Sequence, residues 1–247
     1  MAVITISRQR GSMGSYIALE VARELNLRYL DREILQSVAR EAGVDAEAVE
    51  ALEARAGRLA RTLHILGARP KLPAVASASI RSEESQEERV QELMMLEGVS
   101  QEVALARLRS APTSDYVPQR DYLDLTTSVI LEQAAQGKAM IVGRGGQMIL
   151  RDKPDVLHVQ VIARFETRVY NVIEREEVKW REAAHRVRQS DEQRAGYMRR
   201  FYNVDWLDSS LYDLVISTDK IPIEVAVDTV IRAASALGSK ELQGPQD

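Results

Sequence analysis

The 247-residue chain contains no cysteine. That excludes disulfides, cysteine-ligated zinc and thiol catalysis. Its three histidines, His64, His158 and His185, are too scattered to suggest a histidine metal centre. Aromatic residues make up only 5% of the chain, so Ala, Val, Leu and Ile must do most of the packing. No apolar run approaches the ~20 residues of a membrane span. The opening Met1 to Arg8 moves from a short apolar run straight into arginine, without the longer apolar stretch of a secretion signal. A soluble cytoplasmic protein is the expectation. The net charge of −4 gives no overall pull towards nucleic acid or an anionic membrane. Neither is expected as a partner, and any basic site must be local.

What is present is an alternation of short apolar runs and helical patterns. Val3 to Ile6 reads as a buried strand, followed by the polar, glycine-containing segment Ser7 to Ser15. Ile17, Val21, Ala22 and Leu25 then recur at helical spacing. Strand, glycine turn and helix open a βα phosphate-binding unit. Leu27 to Leu30 predicts a second strand ending at Asp31, which can cap the next helix. Further strands are predicted at 139–142, 156–162 and 213–217. Helices are predicted at 121–136, 165–176, 181–200 and 222–237. Strands separated by helices argue for a five-stranded parallel sheet with helices on both faces, an α/β fold.

Residues 1–44 and 115–237 form the expected core, with lid-like helices at about 164–203. Between them, 45–114 is rich in Ala, Glu, Arg and Leu and reads as a helical insertion, with Ser100 as a cap after Gly98. Residues 238–247 read as a flexible polar tail. In a parallel sheet, ligands bind at the carboxyl ends of the strands. The loops at 7–15, Asp31 and 143–146 all start there, and so do the helices after Ile162. They can therefore surround one site.

The order of motifs resembles bacterial cytidylate kinases, and more closely the cytidylate kinase-like family. The pieces are Ile4-Thr5-Ile6-Ser7-Arg8-Gln9-Arg10-Gly11-Ser12, Tyr29-Leu30-Asp31-Arg32-Glu33-Ile34 and Ile141-Val142-Gly143-Arg144-Gly145. Asp191, Arg194, Ala195 and Tyr197 follow, and then Tyr212-Asp213-Leu214-Val215-Ile216. The resemblance covers roughly two thirds of the chain. It implies the P-loop kinase fold, ATP as phosphoryl donor with Mg²⁺, and a CMP-like nucleoside monophosphate as acceptor.

A working phosphate loop reads G-x-x-x-x-G-K-[ST], its N–H groups cradling phosphate and its lysine following the phosphoryl group. On that frame Arg8 takes the first glycine position and Met13 the second. Gly14 replaces the lysine, and Ser15 keeps the hydroxyl that can bind Mg²⁺. Residues 10–15 (Arg10, Gly11, Ser12, Met13, Gly14, Ser15) are the candidate phosphate loop, with Arg8 or Arg10 returning the missing charge.

Arg144, between glycines after a buried strand, can grip a monophosphate with its guanidinium fork. By the resemblance it matches the arginine of a Gly-Arg-Asp nucleotide motif, with Gly145 in place of the Asp. Asp31 and Arg32 match acceptor contacts. Arg194 and Asp191 match the end of an arginine-bearing lid and are the catalytic candidates beside Arg8. Arg188 is one residue closer to Asp191 than the family pattern, and Arg168 and Arg175 are further lid candidates. Two functions stay open. One is an active nucleoside monophosphate kinase. The other is a nucleotide-binding regulatory protein whose 45–114 segment contacts a protein partner or a second copy.

Overall fold

The structure is a computed structural model that describes residues 2–42, 94, 100–101 and 119–240. The insertion expected at 45–114 therefore lies outside the described residues, except that Met94 and Gln101 are helical and Ser100, directly before Gln101, is not.

Five strands form one sheet: β1 (Val3–Arg8), β2 (Arg28–Leu30), β3 (Ala139–Val142), β4 (Val156–Ile162) and β5 (Leu214–Ser217). All neighbours are parallel and the order is β2-β3-β1-β4-β5. This is the five-stranded parallel α/β sheet expected, with β1 central, so that its carboxyl end faces the middle of the site edge. The helices are α1 (Gly14–Glu24), α2 (Arg32–Ala42), α3 (Gln119–Ala135), α4 (Gly146–Ile149), α5 (Phe165–Glu176), α6 (Trp180–Tyr202) and α7 (Ile223–Lys240). The last one runs into the segment expected as a tail from 238. Residues 241–247 lie outside the described residues.

The period-two alternation of the strands builds the two faces. Ile4 and Ile6, Met140 and Val142 pack with α1 and α7, through Ile17, Val21, Ala226 and Val230. Val3, Ala139 and Ile141 point the other way and pack with α2 and α3, through Ile34, Val38, Tyr122 and Ile130. Burying each such large aliphatic side chain stabilises the fold by about 1.5–3 kcal/mol. On that second face Thr5 and His158 are buried together, with Thr5 Oγ1 2.7 Å from His158 Nδ1. Helices α5 and α6 pair through their own small core of Val169, Val172, Ala183, Ala184 and Val187. They stand over the carboxyl end of β4.

Candidate functional site: an arginine-lined cavity beside a glycine loop

The turn from β1 into α1 is fixed from several sides. The Gln9 N–H donates to Val161 O at 3.1 Å, and Gln9 Oε1 accepts from the Ala163 N–H at 3.0 Å. Gly11 sits directly on α5: a Cβ there would meet the Arg168 carbonyl oxygen at 2.3 Å. Asn171 Nδ2 donates to Gly11 O at 2.8 Å, and Thr218 Oγ1 to Ser12 O at 3.1 Å. Met13 takes φ 62°, a left-handed conformation that costs a side-chain-bearing residue roughly 1–2 kcal/mol. The N–H groups of Gly11, Met13, Gly14 and Ser15 have no acceptor among the described residues. They are the donors a phosphate cradle needs. Ser12 does not join them. Its buried hydroxyl lies 2.8 Å from Gln9 O and 3.1 Å from Val161 O, and its N–H donates to Gln9 O. Its role is to close the turn.

The missing lysine has a geometric counterpart. A Cβ on Gly14 would stand 2.5 Å from the Cβ of Arg8 and 3.0 Å from that of Val161. Arg8 leaves the end of β1 and crosses the site. Its Nε donates to Ser15 Oγ at 3.3 Å and its Nη2 to Asp31 Oδ2 at 3.2 Å. Its Nη1 lies 2.5 Å from where a Cβ of Gly143 would be. A magnesium ion held by Ser15 does not fit this arrangement, because the hydroxyl already faces a guanidinium whose charge would repel the metal. Among the described residues no cluster of three acidic or histidine side chains offers another metal site.

Beside Arg8 opens a cavity of about 370 Å³, lined among others by Arg10, Asp31, Arg144, Gln147, Arg194 and Trp206. Gly143, Arg144 and Gly145 are successive left-handed residues, with φ of 80°, 55° and 69°. Glycine accepts this freely and arginine does not, so Arg144 is held there by its surroundings. Its Nε donates to Asp31 O at 3.2 Å, and its Nη2 is 3.8 Å from Asp31 Oδ1. Tyr197 donates to Arg144 O at 3.4 Å. Asp31 thus faces two arginines, one at each carboxylate oxygen.

Arg194 is different. Its guanidinium bonds only to Ser190, through the hydroxyl and the carbonyl, and has no carboxylate partner among the described residues. Burial pushes its pKa down to about 9. The charges of Arg8 and Arg10 act in the same direction, and Asp191 and Asp31 offset them in part. Cations outnumber their counter-charges here, so the cavity stabilises an incoming anion.

Of the residues singled out from sequence, Arg8, Arg10, Asp31, Arg144 and Arg194 meet at this cavity, and the loop residues 11–15 lie beside it without lining it. Arg10 also turns to α5, bonding both oxygens of Glu176 at 2.7 and 2.9 Å. Glu176 accepts from Arg186 at 2.6 Å and Arg175 at 3.3 Å as well. Burial alone would raise its pKa, but these bonds and the Arg10 charge hold it below the ordinary value.

The other expected phosphate contacts are placed elsewhere. Arg168 is buried, its Nε on Ala163 O at 3.0 Å and its Nη1 2.9 and 2.8 Å from the oxygens of Asp191. That pair clamps α5 to α6 and takes both residues out of the cavity. Arg175 is exposed beside Glu176. Arg188 stacks over the Phe165 ring at 4.7 Å, and Arg32 is exposed on the first turn of α2. Sequence reasoning missed Glu176, Gln147 and Trp206, and quoted Tyr197 as a motif residue without a role. The signal for Gln147 was a lone amide directly before the apolar run Met148-Ile149-Leu150.

A model of the cytidylate kinase-like family matches residues 3–220. Among curated proteins, none matches this chain. The crystal structure of an uncharacterized protein from Eubacterium ventriosum ATCC 27560 is similar, with 21% identity over 95% of this chain and 98% of that one, at a TM-score of 0.60. The crystal structure of TT1252 from Thermus thermophilus has 16% identity over 98% of both chains, at a TM-score of 0.43. The first of these likenesses bears on the fold alone. The family model spans every strand of the sheet, both sides of the cavity and the glycine loop, and the chain belongs to the cytidylate kinase-like family.

Proposed function

We propose that this chain is a nucleoside monophosphate kinase that transfers the γ-phosphoryl group of ATP to CMP or a related acceptor bound in the cavity. Family membership implies a nucleotide kinase-like function. The observation that carries the finer reading is Arg194, a desolvated cation without a carboxylate partner among the described residues, facing a cavity that Arg8, Arg10 and Arg144 also line. An acceptor phosphate between Arg144 and Arg194 supplies the missing charge and competes with Asp31 for its arginines. The donor phosphates rest on the open N–H groups of Gly11, Met13, Gly14 and Ser15. One acceptor oxygen attacks the γ-phosphorus, the bond to the β–γ bridging oxygen breaks, and ADP leaves with that electron pair. No covalent enzyme intermediate is needed, and catalysis is positioning and charge stabilisation. Arg8, between loop and acceptor, is the cation in place for the charge that the lysine would have met.

A specific observation favours a second reading, a nucleotide-binding regulatory protein in the cytoplasm acting through residues 45–114. A side chain at Gly14 would collide with Arg8, which closes the position from which a loop lysine would reach the phosphoryl group. A coupled ADP-release assay over CMP, UMP, AMP and GMP separates the two, run beside calorimetric binding of the same nucleotides. ADP release that falls ~10²–10³-fold in Arg8→Ala, the scale for losing one preorganised donor, supports the kinase. Tight binding with no turnover for any acceptor replaces it with the regulatory reading.

A further inference from the structure

One polar group in the cavity has no part in the phosphate chemistry above. Gln147 lies on α4 and is 4% exposed, yet it lines the cavity. Its Nε2 donates to the Tyr212 hydroxyl at 3.3 Å and lies 3.8 Å from Met198 Sδ. The Tyr212 hydroxyl in turn donates to the Trp206 carbonyl at 2.8 Å. A carbonyl only accepts, so the proton of Tyr212 is committed and its oxygen must receive from Gln147. The amide therefore has one orientation, fixed by its network. The Trp206 carbonyl is anchored as well, by Gln160 Nε2 at 2.7 Å from the fully buried end of a β4 side chain. The direction of the Gln147 amide is thus set by the sheet itself. Its Oε1 has no partner among the described residues and is not among their sealed, unbonded polar atoms. It is an acceptor open to the cavity.

The cavity divides chemically. Arg8 and Arg144 gather around Asp31, while Gln147, Met198 and Trp206 gather around Tyr212. The first group suits a phosphate, and the second suits a flat heterocycle with one polar edge. We propose that Gln147 is a specificity-determining residue that reads the exocyclic amine of the nucleotide base through its fixed Oε1. The inference rests on the acceptor reading of this cavity and adds what that reading lacks, a group that tells one base from another. A 4-amino pyrimidine donates into Oε1. A 4-oxo pyrimidine sets one acceptor against another, and both stay unpaired in a dry site. Such a mismatch discriminates far better than a difference in apolar bulk. Rotating the amide to suit the oxo base would turn Oε1 onto the Tyr212 oxygen, whose proton is already committed.

The test is calorimetric binding of CMP, UMP and ribose 5-phosphate to the full chain and to two variants, Gln147→Met and Tyr212→Phe. Gln147→Met keeps the volume and removes the acceptor. Tyr212→Phe keeps the glutamine and frees its amide to turn. The wild type is expected to bind CMP at least about 10-fold more tightly than UMP, the scale of one unpaired hydrogen-bonding group. Both variants should bring that ratio to within about 3-fold, Gln147→Met by losing CMP affinity and Tyr212→Phe by gaining UMP affinity. Ribose 5-phosphate should bind all three proteins alike. Equal CMP and UMP affinity in the wild type, or a preference unchanged in both variants, overturns the role of Gln147 while ribose 5-phosphate binding leaves the phosphate site standing. Failure of the wild type to bind ribose 5-phosphate and either nucleotide overturns the acceptor reading and this inference with it.

Discussion

The Cβ of Arg8 stands 2.5 Å from where a side chain at Gly14 would begin, so one of these positions can be large only if the other is not. Gly14 lies on the first turn of α1, where replacing glycine by alanine ordinarily stabilises a helix by about 1 kcal/mol. Here the sign should reverse. Gly14→Ala is expected to destabilise the protein by about 1–3 kcal/mol, the range for overpacking. Urea unfolding measures it. Gly14→Lys in the wild-type background should add no kinase activity, since the new side chain must first displace Arg8.

Arg144 reaches the cavity from a left-handed position and is tied to Asp31. Arg144→Ala should weaken nucleoside monophosphate binding by about 1.5–3 kcal/mol, the range for a charged hydrogen bond. Most of the fold's stability should remain, because Asp31 keeps Arg8. Calorimetric titration with CMP decides the matter, and an unchanged affinity removes Arg144 from the site.

Arg194 should behave in the opposite way before and after ligand arrives. Its lowered pKa marks a charge that burial and the nearby arginines disfavour. Arg194→Met should not lower the stability of the ligand-free protein, because nothing there fully compensates the charge it removes. The same variant should lose the rise in melting temperature expected of the wild type with CMP. Thermal unfolding with and without CMP reads both effects.

His158 gives the pH dependence. Burial lowers its pKa from the ordinary 6.5, with the Asp213 charge and a hydrogen bond to the Leu150 backbone acting the other way. Below 6.5 the unfolded chain takes up a proton that the folded chain refuses, so this contribution is present above 6.5 and fades as pH falls through it. The slope it adds is at most about 1.4 kcal/mol per pH unit. Urea unfolding at pH 7.5 and 5.5 should show wild-type stability falling between them, and His158→Leu should flatten the fall.

The strands were legible because most are short apolar runs between turn residues, the texture of strands covered on both faces. The helix Phe165–Glu176 fell where its apolar spacing put it. The short α4 was not legible, since four residues carry no period. Arg168 was misplaced for a different reason. Its neighbours Val169 and Val172 mark an apolar face, which was a sign of burial, but its partner Asp191 is on another helix and no local pattern joins the two. Arg8 was legible as an arginine at the site, which the structure places at the cavity. Its path could not be read, because that path depends on Asp31 and Gly143, brought close only by the strand order.

A glycine loop usually owes its shape to its own residues and to the strand and helix at its ends. This one is moulded from outside: Gly11 is seated on the Arg168 carbonyl and held by Asn171, and Arg10 is drawn to Glu176. The conformational freedom of the turn is therefore surrendered when α5 docks, long before any nucleotide appears. A ligand arriving at this loop meets a surface already set, and little of its binding free energy goes into ordering the chain. Its affinity should accordingly follow the integrity of α5: a variant that loosens that helix, such as Asn171→Ala, should show its penalty chiefly as a less favourable binding entropy.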